Sequence, residues 1–164
     1  MSKTEKNLLE AFAGESQANR TYLAFARKAE DEGYKQVAKL FRAAAEAETV
    51  HALSHLRETG KVKSTEENLQ QAIGGETHEF QSMYPKMIDE ANAEGAKGAL
   101  RSFNFANQVE KIHADLYKKA LAQLGKNQEV DYTVCQVCGN TVEGDPPDTC
   151  PICGAPKKMF KKIE

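Results

Sequence analysis

Glutamate and histidine recur together twice in this chain, as Glu48-x-x-His51 and Glu110-x-x-His113, and each pair has a further glutamate upstream, Glu15 or Glu76. On a helix, residues three apart share a face, so a carboxylate and an imidazole at this spacing can reach one ion. The two pairs begin 62 residues apart and the upstream glutamates lie 61 apart, each directly after a glycine. A single Glu-x-x-His is common on solvated helix faces. A duplicated one with matched upstream partners is an internal repeat of a helix pair, as a two-metal site with twofold character requires.

A second ligand set closes the chain. All four cysteines fall in two Cys-x-x-Cys pairs, Cys135/Cys138 and Cys150/Cys153, and none occurs before residue 135. This layout suits one tetrahedral metal held by four thiolates better than disulfide stapling. Gly139 and Gly154 follow the two pairs and permit the tight return that aims backbone N–H groups at sulfur. Zinc and iron both fit the set, and spacing alone does not separate a structural zinc ribbon from a redox iron centre.

The elements that must position these residues follow from composition and period. The first 125 residues are rich in Ala, Glu, Lys, Leu and Gln, with Pro85 their only proline and breaks at Gly33, Gly60 and Gly95 to Gly98. Four helical segments are predicted, at about 4–32, 35–59, 65–94 and 96–125. Ser64 and Glu67 form a capping box for the third; Gly74-Gly75 threaten to divide it, and Pro85 should bend it by removing one ladder donor. Each segment carries an apolar stripe in which the candidate ligands occupy core positions: Leu8, Phe12, Glu15, Asn19, Tyr22; Phe41, Ala44, Glu48, His51; Ile73, Glu76, Phe80, with Glu79 beside; and Phe103, Ala106, Glu110, His113, Tyr117. An ionised carboxylate in such a core costs several kcal/mol, so four or five without cations would exceed a domain's stability of roughly 5–15 kcal/mol. No Lys or Arg shares the stripes, whereas two metal ions would neutralise the cluster and take the imidazoles as neutral donors. Residues 126–164 shift to β-branched residues, turns and prolines, and predict short strands around a metal knuckle.

Composition removes other classes of function. The 164 residues carry 22 Lys plus Arg against 24 Asp plus Glu, a net charge of −2, which offers no basic field for nucleic acid. No long apolar span and no apolar leader is present, so no membrane partner is expected and a cytoplasmic location is.

The whole chain resembles rubrerythrin, a ferritin-like di-iron bundle followed by a rubredoxin-like module. Ala13-Gly14-Glu15-Ser16, Ala47-Glu48-Thr49-Val50-His51-Ala52, Gly75-Glu76-Thr77-His78-Glu79, Glu110-Lys111-Ile112-His113-Ala114 and Cys150-Pro151-Ile152-Cys153-Gly154 carry the resemblance. It implies a mainly α fold, with a ferritin-like four-helix bundle over 1–126 and a small β rubredoxin-like metal-binding domain over 127–164. It further implies that Glu48 and Glu110 bridge two irons, that Glu15 and Glu76 are terminal ligands, and that His113 shares the iron served by Glu76. Glu79 would hold the other iron when oxidised and yield to His51 on reduction. Tyr22 and Tyr84 match tyrosines that hydrogen-bond to site carboxylates. His55, on the face of His51, is read as structural, and His78 points away from the ligand face. Asn140 stands where rubredoxin-like knuckles often carry an aromatic, which leaves Tyr132 and Phe160 to shield the four-cysteine iron; the Lys157-Lys158 and Lys161-Lys162 pairs read as solvated charge.

The activity implied is reduction of hydrogen peroxide to water in oxidative-stress defence. The cofactors would be two Fe ions and one Fe held by Cys135, Cys138, Cys150 and Cys153, with zinc as the alternative at the last. Electrons would come from a rubredoxin or an NAD(P)H-dependent reductase, since no dinucleotide fingerprint is present. The family forms homodimers in which one subunit's rubredoxin-like module lies near the other's di-iron site.

Overall fold

The computed structural model describes residues 1–164. Contacts divide them into two compact units, residues 1–63 and 64–164.

The first unit is a helical hairpin, α1 (Lys3–Asp31) and α2 (Lys35–Glu58). Ser2 caps α1, its hydroxyl accepting from the Glu5 N–H at 3.1 Å. At the other end Gly33 adopts φ +84°, and the Tyr34 N–H reaches back to the Ala29 carbonyl while that of Gly33 reaches Glu30. This closure satisfies the last carbonyls of the helix and turns the chain in three residues. Ala38, Ala45 and Ala52, seven residues apart on α2, are buried, as are Ala26 and Ala29 of α1, so the two helices meet along a seam of small side chains. Asn19 clamps the seam by donating to the Ala45 carbonyl at 2.6 Å and to the Thr49 hydroxyl at 2.8 Å. Tyr22, Phe25 and Phe41 form an aromatic cluster with centroids 5.5–6.4 Å apart.

The second unit opens with α3 (Thr65–His78), which Ser64 and Glu67 start with a complete capping box. Gly74 and Gly75 do not break α3; both lie within it. The irregularity comes later, as a five-residue π turn, Glu79–Met83, before α4 (Tyr84–Ala93). Pro85 explains it. Its ring nitrogen cannot donate, and its ring would strike the Gln81 carbonyl of a regular ladder. The wider turn, with the Tyr84 N–H bonded to the Glu79 carbonyl, moves the ladder by one residue just ahead of the proline. Gly95, at φ +68°, ends α4 with the same pattern seen at Gly33, the Ala96 N–H reaching the Ala91 carbonyl. These two closures lie 62 residues apart, the offset of the Glu-x-x-His pairs. Helix α5 (Lys97–Ala122) follows.

A three-stranded antiparallel sheet completes the chain: β1 (Tyr132–Cys135) lies between β2 (Thr141–Glu143) and β3 (Phe160–Ile163). Thr133 faces Val142 on one side and Lys162 on the other. Cys135, Cys150 and Ala155 form its buried core, with Ile152, Met159 and Phe160 packed against them. Tyr132 does not shield this core as expected. It is 37% exposed and its hydroxyl points to Glu143 at 3.5 Å, so Ile152 and Met159 join Phe160 in that role. The architecture is mainly α with a small β metal-binding module, and no helix is long and apolar enough to cross a membrane.

Candidate metal centres

Three clusters of metal-ligating atoms emerge, each gathered within 4.8 Å. The first lies in the α1–α2 hairpin. Glu15 from α1 meets Glu48 and His51 from α2, with His51 Nδ1 2.9 Å from Glu48 Oε2. The second repeats it in residues 64–164: Glu76 from α3 meets Glu110 and His113 from α5, with His113 Nδ1 2.8 Å from Glu110 Oε2 and 3.9 Å from Glu76 Oε2. The side chains of Glu48, Glu76 and Glu110 are only 15–21% exposed.

Electrostatics show what the second of these clusters calls for. The Glu76 carboxyl is pushed up to about 7, first by burial and then by the charge of Glu110, with which it shares a hydrogen bond, and by Glu79. Carboxyls that must share a proton near neutrality are competing for one positive charge. A metal ion supplies it, and carboxylate oxygens with an imidazole nitrogen are a donor set that iron accepts.

The third cluster is the cysteine set. Cys135 Sγ lies 3.7 Å from Cys153 Sγ, and Cys138 Sγ 3.6 Å from Cys150 Sγ. A metal–sulfur bond of about 2.3 Å places tetrahedral sulfurs about 3.8 Å apart, whereas a disulfide needs about 2.0 Å. The spacing therefore fits one metal and excludes bridges. Burial raises the Cys138 thiol. Burial opposes ionisation at Cys150 too, but the backbone N–H groups of Cys153 and Ile152, together with hydrogen bonds from the Cys138 and Cys153 thiols, outweigh it and hold that thiol down to about 7. Asn140, buried, turns its amide toward Cys150 Sγ at 3.7 Å. The aromatic absent at this position is thus replaced by a hydrogen-bond donor to sulfur.

Not every expected residue joins a cluster. Glu79 heads the π turn and stands outside the Glu76–Glu110–His113 set, although it feels Glu110: its carboxyl is raised first by burial, then by that charge, with His78 and His113 pulling the other way. Tyr84 lies in the same field, its phenol raised by burial and by Glu110, Glu79 and Glu76, and its ring sits 6.3 Å from Phe103. Tyr22 belongs to the aromatic cluster of the first hairpin. His55 and His78 enter none of the three clusters. Tyr117, which the stripe of α5 includes without a role, also neighbours the second cluster. Its phenol is raised by burial, then by Glu76 and Glu110. The signal was present, since it stands one helical turn beyond His113 on the same stripe.

The family model described as Rubrerythrin matches residues 6–121, and that of the rubrerythrin rubredoxin-like domain matches residues 134–161. The chain belongs to the rubrerythrin family. Rubrerythrin-2 of Clostridium acetobutylicum is 36% identical over 94% of this chain and 93% of its own length. Nigerythrin of Nitratidesulfovibrio vulgaris is 35% identical over 98% of this chain and 86% of its own. The solved structure of mixed-valence nigerythrin aligns with a TM-score of 0.60 at 32% identity, covering 99% of this chain and 88% of that one. Rubrerythrins are oxidoreductases, and this member has the glutamate and histidine ligands of a di-iron centre and the four cysteines of a rubredoxin-like iron site.

Proposed function

We propose that this chain reduces hydrogen peroxide, taking two electrons and two protons to give two waters. The observation that carries the reading is the coexistence, in one chain, of two Glu–Glu–His clusters and a four-thiolate cage. A storage protein has no use for the cage, and a zinc ribbon has no use for the clusters. When bound, the two irons supply the electron pair that O–O cleavage consumes. The chain's residues hold those ions and manage the protons. Residues 1–126 form the di-iron domain and 127–164 the rubredoxin-like one. By the family resemblance, Glu48 and Glu110 would be the ligands shared by two irons, Glu15 and Glu76 would each hold one of them, and His113 would hold the same iron as Glu76.

By the same resemblance, Glu79 and His51 would be the alternative carboxylate and imidazole ligands for the second iron. The exposed position of His51, 55% accessible with Glu48 as its partner, leaves its ring free to move. Tyr84, its phenol held protonated by burial and by three nearby carboxylates, and Glu79, which gives up its proton less readily than a free glutamate, are the groups that can deliver protons to departing oxygen. Tyr22 supports the carboxylates of the first hairpin. Cys135, Cys138, Cys150 and Cys153 would hold a third iron, which would supply one-electron transfer. The donor is a rubredoxin or an NAD(P)H-dependent rubredoxin reductase, and the protein works as a cytoplasmic homodimer. In a coupled assay containing NADH, a rubredoxin reductase, a rubredoxin and the iron-loaded protein, NADH oxidation should depend on added peroxide. Turnover of ferrous iron without peroxide consumption would contradict the proposal.

A further inference from the structure

Within residues 64–164, strand β2 runs along α5, and three contacts fix the alignment. Val109 Cγ1 stands 3.7 Å from where a Cβ on Gly139 would lie, His113 Nε2 is 2.9 Å from Thr141 Oγ1, and Lys119 pairs with Glu143. The contacts run in the same order along both segments, residues 109, 113 and 119 of α5 against residues 139, 141 and 143. The two elements therefore keep step, and the central contact falls on a metal-site histidine.

Thr141 has one hydroxyl proton, and its oxygen lies 3.1 Å from the Gly139 carbonyl, which can only accept. Once that proton is given to Gly139, the same oxygen must accept from His113, so Nε2 carries a proton, and the neutral ring that metal ligation requires presents its lone pair at Nδ1. Nδ1 is the atom turned toward Glu110 and Glu76. A lone pair aimed at two carboxylates is repelled unless positive charge lies between them, either a proton on Nδ1 or a metal ion. His51 makes the same approach to Glu48, yet no protein group holds its other nitrogen, and its side chain is 55% exposed against 28% for His113.

We propose that Thr141 is a positioning residue: it fixes His113 as the Nε2–H tautomer and holds that ring still within the Glu76–Glu110–His113 cluster. The same hydroxyl ties that ligand to the peptide carbonyl next to Cys138. The Gly139–Thr141 segment is itself set by the cysteine turn, through the Gly139 N–H on the Cys135 carbonyl at 2.8 Å and the Cys135 N–H on the Asn140 carbonyl at 2.9 Å. The module therefore orients a ligand of the carboxylate site belonging to its own chain. This inference rests on the metal-binding reading of that site and not on the peroxide chemistry.

The test compares the wild-type chain with Thr141→Val, which loses the hydroxyl, and Thr141→Ser, which keeps it. In zinc-loaded protein, 15N spectra of the imidazoles should show His113 with Nδ1 bound to metal and Nε2 protonated in the wild type and the serine variant. In the valine variant this signature should be lost, and zinc affinity at the carboxylate site should fall roughly 10- to 100-fold, the usual effect of removing a partner of a metal-bound histidine. The cobalt–thiolate absorption of the four-cysteine site should stay unchanged in all three, which separates loss of positioning from unfolding. An unchanged tautomer and affinity in Thr141→Val, or a serine variant as weak as the valine one, would overturn the role of Thr141. A wild-type chain that takes no zinc at the carboxylates would instead overturn the metal site itself.

Discussion

Glu110 is the residue on which most of the second cluster converges, since it meets His113 at 2.8 Å, shares a hydrogen bond with Glu76, and raises Glu79, Tyr84 and Tyr117. Even outer partners of metal ligands are worth about 10- to 100-fold, so Glu110→Ala should lower peroxide reduction by roughly 10²-fold or more while the thiolate spectrum of the cysteine site persists. The shift of Glu76 makes a prediction about the metal-free protein. Its carboxyl stands at about 7 against an ordinary 4.5, so between those values the folded chain binds more protons here than the unfolded chain does. Stability of the chelated protein should therefore fall as pH rises from about 5 to 8, with the contribution of Glu76 largest below 4.5 and lost through 7. Denaturant melts across that range check the sign. Loading with metal should reverse it, because the ion requires the ionised carboxylate.

At the scale of elements, the ends of the helices and the glycines of the cysteine turns do most of the positioning. The Ser64–Glu67 box opens the helix that delivers Glu76, and Ser64→Ala should destabilise the protein by about 0.5–2 kcal/mol, read by thermal melting. Gly139 holds φ +85°, and a Cβ there would make only ordinary contact with Val109, so the strain of Gly139→Ala is in the backbone. We expect about 1–2 kcal/mol of destabilisation and faster loss of metal from the four cysteines, followed by release to a chelator. The helices themselves were legible in the sequence because Gly33, Gly60 and Gly95 stop periodic segments, and α-helical structure covers most of each predicted one. The π turn was not. A proline inside a helical pattern announces a disturbance, but whether the ladder bends or widens depends on how neighbouring helices hold each side. Gly74-Gly75 misled in the opposite direction, since two glycines weaken a helix by only about 1 kcal/mol each and packing carried α3 through them.

For the whole molecule, the repeat was the legible feature: two Glu–Glu–His sets and two identical helix closures recur at offsets of 61 or 62 residues, and the structure gathers each set separately. The cysteine site was equally plain, because its four ligands lie close in sequence. What escaped the sequence were contacts made across long separations with no periodic trace, above all His113 with Thr141, 28 residues apart, and the field of Glu76 at Tyr117. The central claim is that carboxylate clusters and cysteine cage serve one reaction. Anaerobic stopped-flow spectroscopy on the fully reduced, iron-loaded protein tests it most directly. On mixing with hydrogen peroxide, the red absorption of the oxidised four-cysteine iron should return much faster than on mixing with oxygen, and this return should vanish in Glu110→Ala. A return no faster with peroxide than with oxygen, or one untouched by loss of Glu110, would contradict the account.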